Sequence, residues 1–130
     1  SDIYKKYDKE FLHESEYHQK IGEFLELLDG DFLPFRDTFL MKGYVCHSLF
    51  CALMQKKYGI PGGDELQIAT NGVFYNDLQT TLNNLSKLAE AHELHATDGQ
   101  YAEYVEACLS TTHRIKQRQT RTRWIGNALI

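Results

Sequence analysis

A histidine and a cysteine four residues apart, His47 and Cys51, have the spacing that places two metal ligands on one face of a helix. Both lie in the most apolar stretch of the chain, which runs from Tyr44 to Met54. No second pair of His or Cys residues follows at a spacing typical of zinc sites. We therefore interpret His47 and Cys51 as a buried core pair and not as metal ligands.

Two further groups combine histidines with carboxylates and could bind a divalent ion. They are Glu14 with His18, and His92 and His95 with Glu90 or Glu93. Zinc needs three or four ligands, and the sequence fixes no others. The favoured interpretation is that these histidines are solvated at helix ends, where a positive charge suits the helix dipole. A small metal-dependent enzyme that uses His92 and His95 is the least favoured hypothesis.

The sequence gives no pattern of a nucleophilic or phosphate-binding site. A catalytic thiolate needs a neighbouring base and an oxyanion site, whereas Cys46, Cys51 and Cys108 lie in apolar surroundings. The turn at Pro61-Gly62-Gly63 does not follow a strand and lacks the Lys-Ser/Thr of a P-loop. Three cysteines without disulfide-rich spacing indicate a reducing, cytoplasmic setting. We predict no catalytic residue, no metal ligand and no cofactor in this chain.

Basic residues are concentrated near the end of the chain. All 18 acidic residues occur at or before Glu106, whereas five of the 14 basic residues follow it. These five are Arg114, Lys116, Arg118, Arg121 and Arg123, with Trp124 and Asn127 beside them. Such an asymmetry of charge bears on binding partners and not on the fold.

On a helical projection the five cations divide into two groups. Arg114, Arg118 and Arg121 lie on one side, and Lys116 and Arg123 lie on the opposite side. Arg118 falls within a narrow apolar stripe, where an arginine either extends to solvent past its neighbours or pairs with a carboxylate on another helix. Pairing within the protein is the favoured interpretation, and phosphate contact with a nucleic acid is the main alternative. The pI of 5.8 argues against a dedicated nucleic-acid-binding protein.

The elements that would position these residues are all predicted to be helices. A central helix extends from about residue 37 to 58, and its apolar part shows no solvent-exposed face. Helical patterns also cover residues 3–12 and 15–28, as two helices or one long helix, then residues 73–93, a helix from Thr97 to Leu109, and a last helix to about Leu129. Thr97 and Gln100 have the form of a capping box, and Gly30 is placed as a helix-ending glycine. A short helical turn fits residues 65–70.

These patterns define a fold class and a domain organisation. No run of alternating β-branched residues predicts a strand, and no apolar run is long enough to span a membrane. We predict a single all-α domain over residues 1–130, a compact bundle of five or six helices around the central helix. The chain starts without Met and stops inside an apolar pattern, so we expect it to be a fragment of a longer protein.

Two segments resemble the helical half of the GmrSD-type family, the ParB/sulfiredoxin-like restriction and phage-defence proteins. The first is Thr111–Leu129, with spaced arginines before an apolar tail. The second extends from Leu33-Pro34-Phe35 to Ser48-Leu49-Phe50-Cys51-Ala52-Leu53, a connector that leads into a Leu-Phe-x-Ala-Leu core helix. The resemblance covers most of the chain. It implies a helical portion that supports a separate α/β catalytic half and contacts nucleic acid or a partner subunit, with no catalytic residue of its own.

These observations predict a cytoplasmic, non-catalytic helical domain of a GmrSD-like protein. Its expected partners are the remainder of its own polypeptide, DNA and a second copy of the chain, but not a membrane. Its expected contact residues are Arg114, Lys116, Arg118, Arg121, Arg123 and Trp124. The alternative hypothesis is a protein–protein interaction or assembly domain. That domain would use exposed Tyr and Phe side chains of the first two helices and the apolar C-terminal tail.

Overall fold

Helices make up all of the regular structure in the part of the chain that the computed structural model describes, residues 14–110 and 113–130. The α-helices are α1 (Glu14–Asp29), α2 (Leu33–Arg36), α3 (Gly43–Lys57), α4 (Leu78–Glu93), α5 (Ala102–Leu109) and α6 (Ile115–Ala128). Two 3₁₀ helices cover Phe39–Met41 and Gly63–Leu66. The prediction of an all-α bundle with five or six helices is confirmed over these residues. The helix predicted at residues 3–12 lies outside them.

The central element of the bundle is α3. Its residues Val45, Leu49, Ala52 and Leu53 are completely buried, and its most extensive packing is against α6. One side of its first turns stays uncovered, because Gly43 and His47 on this side are both exposed. The prediction of a helix without a solvent-exposed face was therefore wrong along this stripe.

Helix boundaries differ from prediction where polar side chains and turns intervene. The central helix begins at Gly43 and not near residue 37, since Thr38 has a non-helical φ of −127° and ψ of −97°. Helix α4 begins at Leu78, five residues later than predicted, because Asp77 caps it by accepting a hydrogen bond from the Thr80 amide at 3.1 Å. The predicted capping box at Thr97 does not form, and α5 begins at Ala102 without a side-chain cap.

The C-terminal tail is packed into the bundle. Leu129 is completely buried, and three side chains donate hydrogen bonds to the last carbonyls: Asn84 to Ala128, Lys56 to Leu129 and Thr81 to Ile130. Such donors satisfy the carbonyls that a helix end leaves without partners. The hypothesis that an apolar tail meets a partner is therefore wrong for Ala128 and Leu129, whereas the Ile130 side chain is half exposed.

No helix among the residues described here is both long and apolar enough to cross a membrane.

Candidate nucleic-acid interface

Arg121 lies in the core and not on the surface. Its side chain is 1% exposed, its Nη1 donates to the Ala107 carbonyl at 2.8 Å, and its Nε donates to Ser48 Oγ at 3.3 Å. Its guanidinium also lies over the Tyr44 ring, 5.2 Å from the ring centre. These contacts tie α6 to α3 and α5. The expectation that Arg121 contacts a nucleic acid therefore does not hold, because its guanidinium is buried and bonded inside the fold.

A buried histidine, His92, contacts the same tyrosine as Arg121, namely Tyr44. His92 is 2% exposed, its Nε2 is hydrogen-bonded to Tyr44 Oη at 3.1 Å, and its ring contacts Tyr104 edge-on. Burial, together with the nearby positive charges, lowers the pKa of His92 to about 4. His92 is therefore neutral at pH 7. The interpretation of a solvated histidine was wrong here, whereas His95 is exposed.

The described residues contain no group of three or more His, Cys, Asp or Glu side chains that could hold a metal ion. His92 in particular is turned inward to Tyr44 and does not join His95 in a site. The metal-dependent enzyme hypothesis therefore has no ligand set on this part of the chain.

Arg123 and Trp124 share one carboxylate on α5. Arg123 forms an ion pair with Glu103, and Trp124 Nε1 donates to the same Oε1 atom at 2.7 Å. The Trp124 ring also packs edge-on against Tyr101, with 6.0 Å between ring centres. Both side chains are half-buried. For Arg123 the ion pair matches the interpretation that basic residues of the last helix pair within the protein.

The remaining three cations, Arg114, Lys116 and Arg118, form what we term the basic end of α6. All three are exposed, and none forms an ion pair with another described residue. The first turn of α6 contains no acidic residue. A helix N-terminus carries partial positive charge, so cations placed there are unfavourable for the folded state. The basic end is thus a concentration of positive charge that the described fold does not neutralise.

The exposed residue His47 lies on the adjacent helix, α3. Cys51 Sγ lies 3.9 Å from both ring nitrogens of His47. The interpretation of a buried core pair was therefore wrong for His47. All three cysteines are free, and burial raises the pKa of Cys51 and of Cys108 to about 11. Burial raises the pKa of Cys46 as well, so the three thiols stay protonated at neutral pH.

A second surface feature is a cleft of about 410 Å³ between α1 and the end of α3. Its lining consists of Glu23, Glu26, Leu27, Gly30, Asp31, Lys57 and Phe74. Lys57 donates to Glu23 at 3.2 Å and lies over the Phe74 ring, while the Tyr75 hydroxyl donates to Asp31. The cleft is acidic and would repel a phosphate chain. Sequence reasoning did not identify it, because its residues come from three separate segments.

Comparison with protein-family models, with curated proteins and with solved structures finds no match to this chain.

Proposed function

We propose that this chain is a non-catalytic helical domain that contacts the phosphate backbone of DNA through the basic end of α6. The observation that carries the proposal is the exposure of Arg114, Lys116 and Arg118 without an ion-pair partner among the described residues. Arg121, Arg123 and Trp124 are not part of this surface, since each is engaged inside the fold.

The electrostatics of the basic end favour an anionic ligand. Three like charges and the partial positive charge of the helix N-terminus oppose one another, and a bound anion relieves this repulsion. Arg114 and Arg118 lie on one side of the helix about one turn apart, so a ligand with regularly repeated charges can neutralise both of them at once. A nucleic-acid backbone has this property, and counterions released from it add to the affinity.

The resemblance to the GmrSD-type family suggests the kind of protein to which this domain would belong. In this setting the domain is cytoplasmic and supports a catalytic half in the remainder of its polypeptide. Three free cysteines fit a reducing compartment. The two segments that carry the resemblance contain most of α3 and all of α6, the helices that pack most extensively against each other. The resemblance would therefore concern chiefly the core, with DNA contact added by the exposed start of α6.

Binding of a fluorescent duplex DNA at two salt concentrations tests the proposal. Two to three phosphate contacts predict that affinity falls roughly 10- to 40-fold between about 50 mM and 200 mM salt. The variant R114A/K116A/R118A should lose most of the binding at low salt and most of the salt dependence. The control R36A/K42A/K87A removes three exposed charges elsewhere and should bind nearly as the parent does. Absence of binding by the parent protein at low salt, or equal losses in both variants, would contradict the proposal.

Self-association is a second candidate function, favoured by two exposed apolar side chains. Met41 is 71% exposed and Leu94 is 69% exposed. The hydrogen bond between Tyr44 and His92 brings the start of α3 and the end of α4 together, so both side chains lie at one end of the bundle. Solution mass over a range of concentrations tests this candidate, with M41S/L94S as the variant that should stay monomeric. A parent protein that is monomeric at every concentration would exclude it.

A further inference from the structure

We infer that His47 and Arg118 together form one phosphate-binding position at the seam between α3 and α6, and that DNA binding there takes up a proton. This inference rests on the proposed function and adds a residue from a second helix to the basic end of α6. It also gives the interaction a dependence on pH that arginine and lysine alone would not have.

Contacts inside the fold fix where the seam lies. Arg121 Nε donates to Ser48 Oγ at 3.3 Å, so α6 meets α3 at the residue next to His47. Arg118 precedes Arg121 by three residues and lies on the same side of α6. Whereas Arg121 is buried at this contact, both Arg118 and His47 are exposed. The two exposed side chains therefore flank the same helix contact.

The charges around His47 are positive on the α6 side. Arg118 and Arg121 face it from α6, and Cys51 lies beside it on its own helix, with the sulfur 3.9 Å from the ring. Desolvation of the ring, and then the charges of Arg118 and Arg121, lower the pKa of His47. The charge of Arg118 also acts to lower the pKa of Cys51, which lies one turn along α3 from His47. In the free protein His47 is therefore neutral at pH 7.

A phosphate bound at the seam opposes the effect of these positive charges on the pKa of His47. Its negative charge offsets the field of Arg118 and favours the protonated imidazole. Imidazolium and guanidinium then both donate charge-assisted hydrogen bonds to phosphate oxygens, which are stronger than bonds between neutral groups. Binding and protonation are linked, so affinity for DNA must rise as pH falls through the range in which His47 titrates.

Duplex binding at about pH 8 and about pH 6, at constant ionic strength, tests the inference. The parent protein should gain roughly three- to tenfold in affinity at the lower pH, because one proton is taken up. His47→Gln should remove most of this gain while leaving the salt dependence at about pH 8 nearly unchanged. His18→Gln, which changes an exposed histidine of α1, should behave as the parent does. His113→Gln changes the histidine next to Arg114 and should retain most of the gain.

Histidine NMR titration with and without duplex DNA gives an independent readout. The pKa of His47 should rise when DNA is bound, and Arg118→Ala should reduce that rise. If DNA binds but His47→Gln keeps the full pH dependence, or His113→Gln removes it, the inference is overturned while the proposed function stands. If the parent protein does not bind DNA at low salt at either pH, both fail.

Discussion

The two halves of α6 carry similar side chains but occupy different environments. Its first half, Ile115–Thr120, contains no buried residue, with Ile115 64% exposed and Lys116 and Arg118 exposed and without ion pairs among the described residues. In its second half, Arg121, Ile125 and Gly126 are buried against α3, α5 and the segment after the second 3₁₀ helix. The difference shows that positive charge on one helix has two roles, one in packing and one at the surface.

Packing and charge explain why the boundary between the two halves of α6 falls near Arg121. A Cβ atom at Gly126 would overlap the Ile68 side chain, so the second half approaches its neighbours closely. Arg121 ends this contact region, and its guanidinium is stabilised by a carbonyl, a hydroxyl and an aromatic ring. Arg118, about one turn earlier in α6, lies outside this contact region and is exposed. Stability should therefore depend on the second half of α6, and binding on the first.

The largest loss of stability is expected from a substitution in α3, the helix against which the second half of α6 packs. Leu49 is completely buried in α3, and Leu49→Asp would place an unpaired carboxylate there. The cost is several kcal/mol, about the whole stability of a small domain, so the variant should be unfolded by circular dichroism. His47→Asp changes the exposed side of the same helix and should keep the parent melting temperature within a few degrees. A folded Leu49→Asp variant would show that α3 is not the core of the bundle.

Comparison of two arginines on α6 tests the boundary directly. Arg121→Ala removes two hydrogen bonds and a ring contact and leaves a cavity, so we expect a loss of about 3 kcal/mol in the free energy of unfolding. Arg118→Ala removes an exposed side chain and should cost less than about 0.5 kcal/mol. Urea unfolding measures both values. Equal losses would mean that the two halves do not differ in their role in stability.

The buried histidine beside Arg121 predicts a dependence of stability on pH. In the folded protein the pKa of His92 is about 4, against 6.5 for an unperturbed histidine, so the unfolded chain binds a proton first as pH falls. Stability should be unaffected above about pH 6.5, decrease between about pH 6.5 and pH 4, and lose roughly 3 kcal/mol in total from this group. His92→Gln should show a smaller decrease across the same window in urea unfolding. Parallel pH profiles for the two proteins would contradict the buried, neutral state of His92.

Apolar periodicity was sufficient to predict the class of the fold and several helix ends. Helix α1 ends at Asp29, α4 at Glu93 and α6 within one residue of Leu129, close to prediction. Helix starts were less predictable, because they depend on which polar residue caps the backbone. Asp77 was available as a sequence signal for α4, whereas the motif at Thr97 proved not to cap α5.

The candidate interface was predicted only in its overall charge. A helical projection places Arg118 in the apolar stripe, but it contains no information on where along the axis the neighbouring helices end. The partners that bury Arg121 are Ser48 and Ala107, which are distant in sequence, and no local pattern identifies them. The same holds for His92, whose partner Tyr44 is 48 residues away. Burial of single polar residues is decided by tertiary contacts, which a one-dimensional pattern cannot represent.

The smallest expected effect concerns Glu103, the carboxylate that holds Arg123 and Trp124. Glu103 is 57% exposed and Arg123 is 30% exposed, so Glu103→Gln should lower the free energy of unfolding by less than about 1 kcal/mol. Its amide oxygen can still accept the hydrogen bond from Trp124. Because Arg123 loses its ion pair, DNA affinity at low salt should rise, but by only about two-fold, since most of the contact is assigned to the basic end of α6. Anisotropy titration measures this change. A gain of tenfold or more in DNA affinity would show that the second half of α6 joins the interface once Arg123 is released. The difference in role between the two halves would then depend on one carboxylate, that of Glu103.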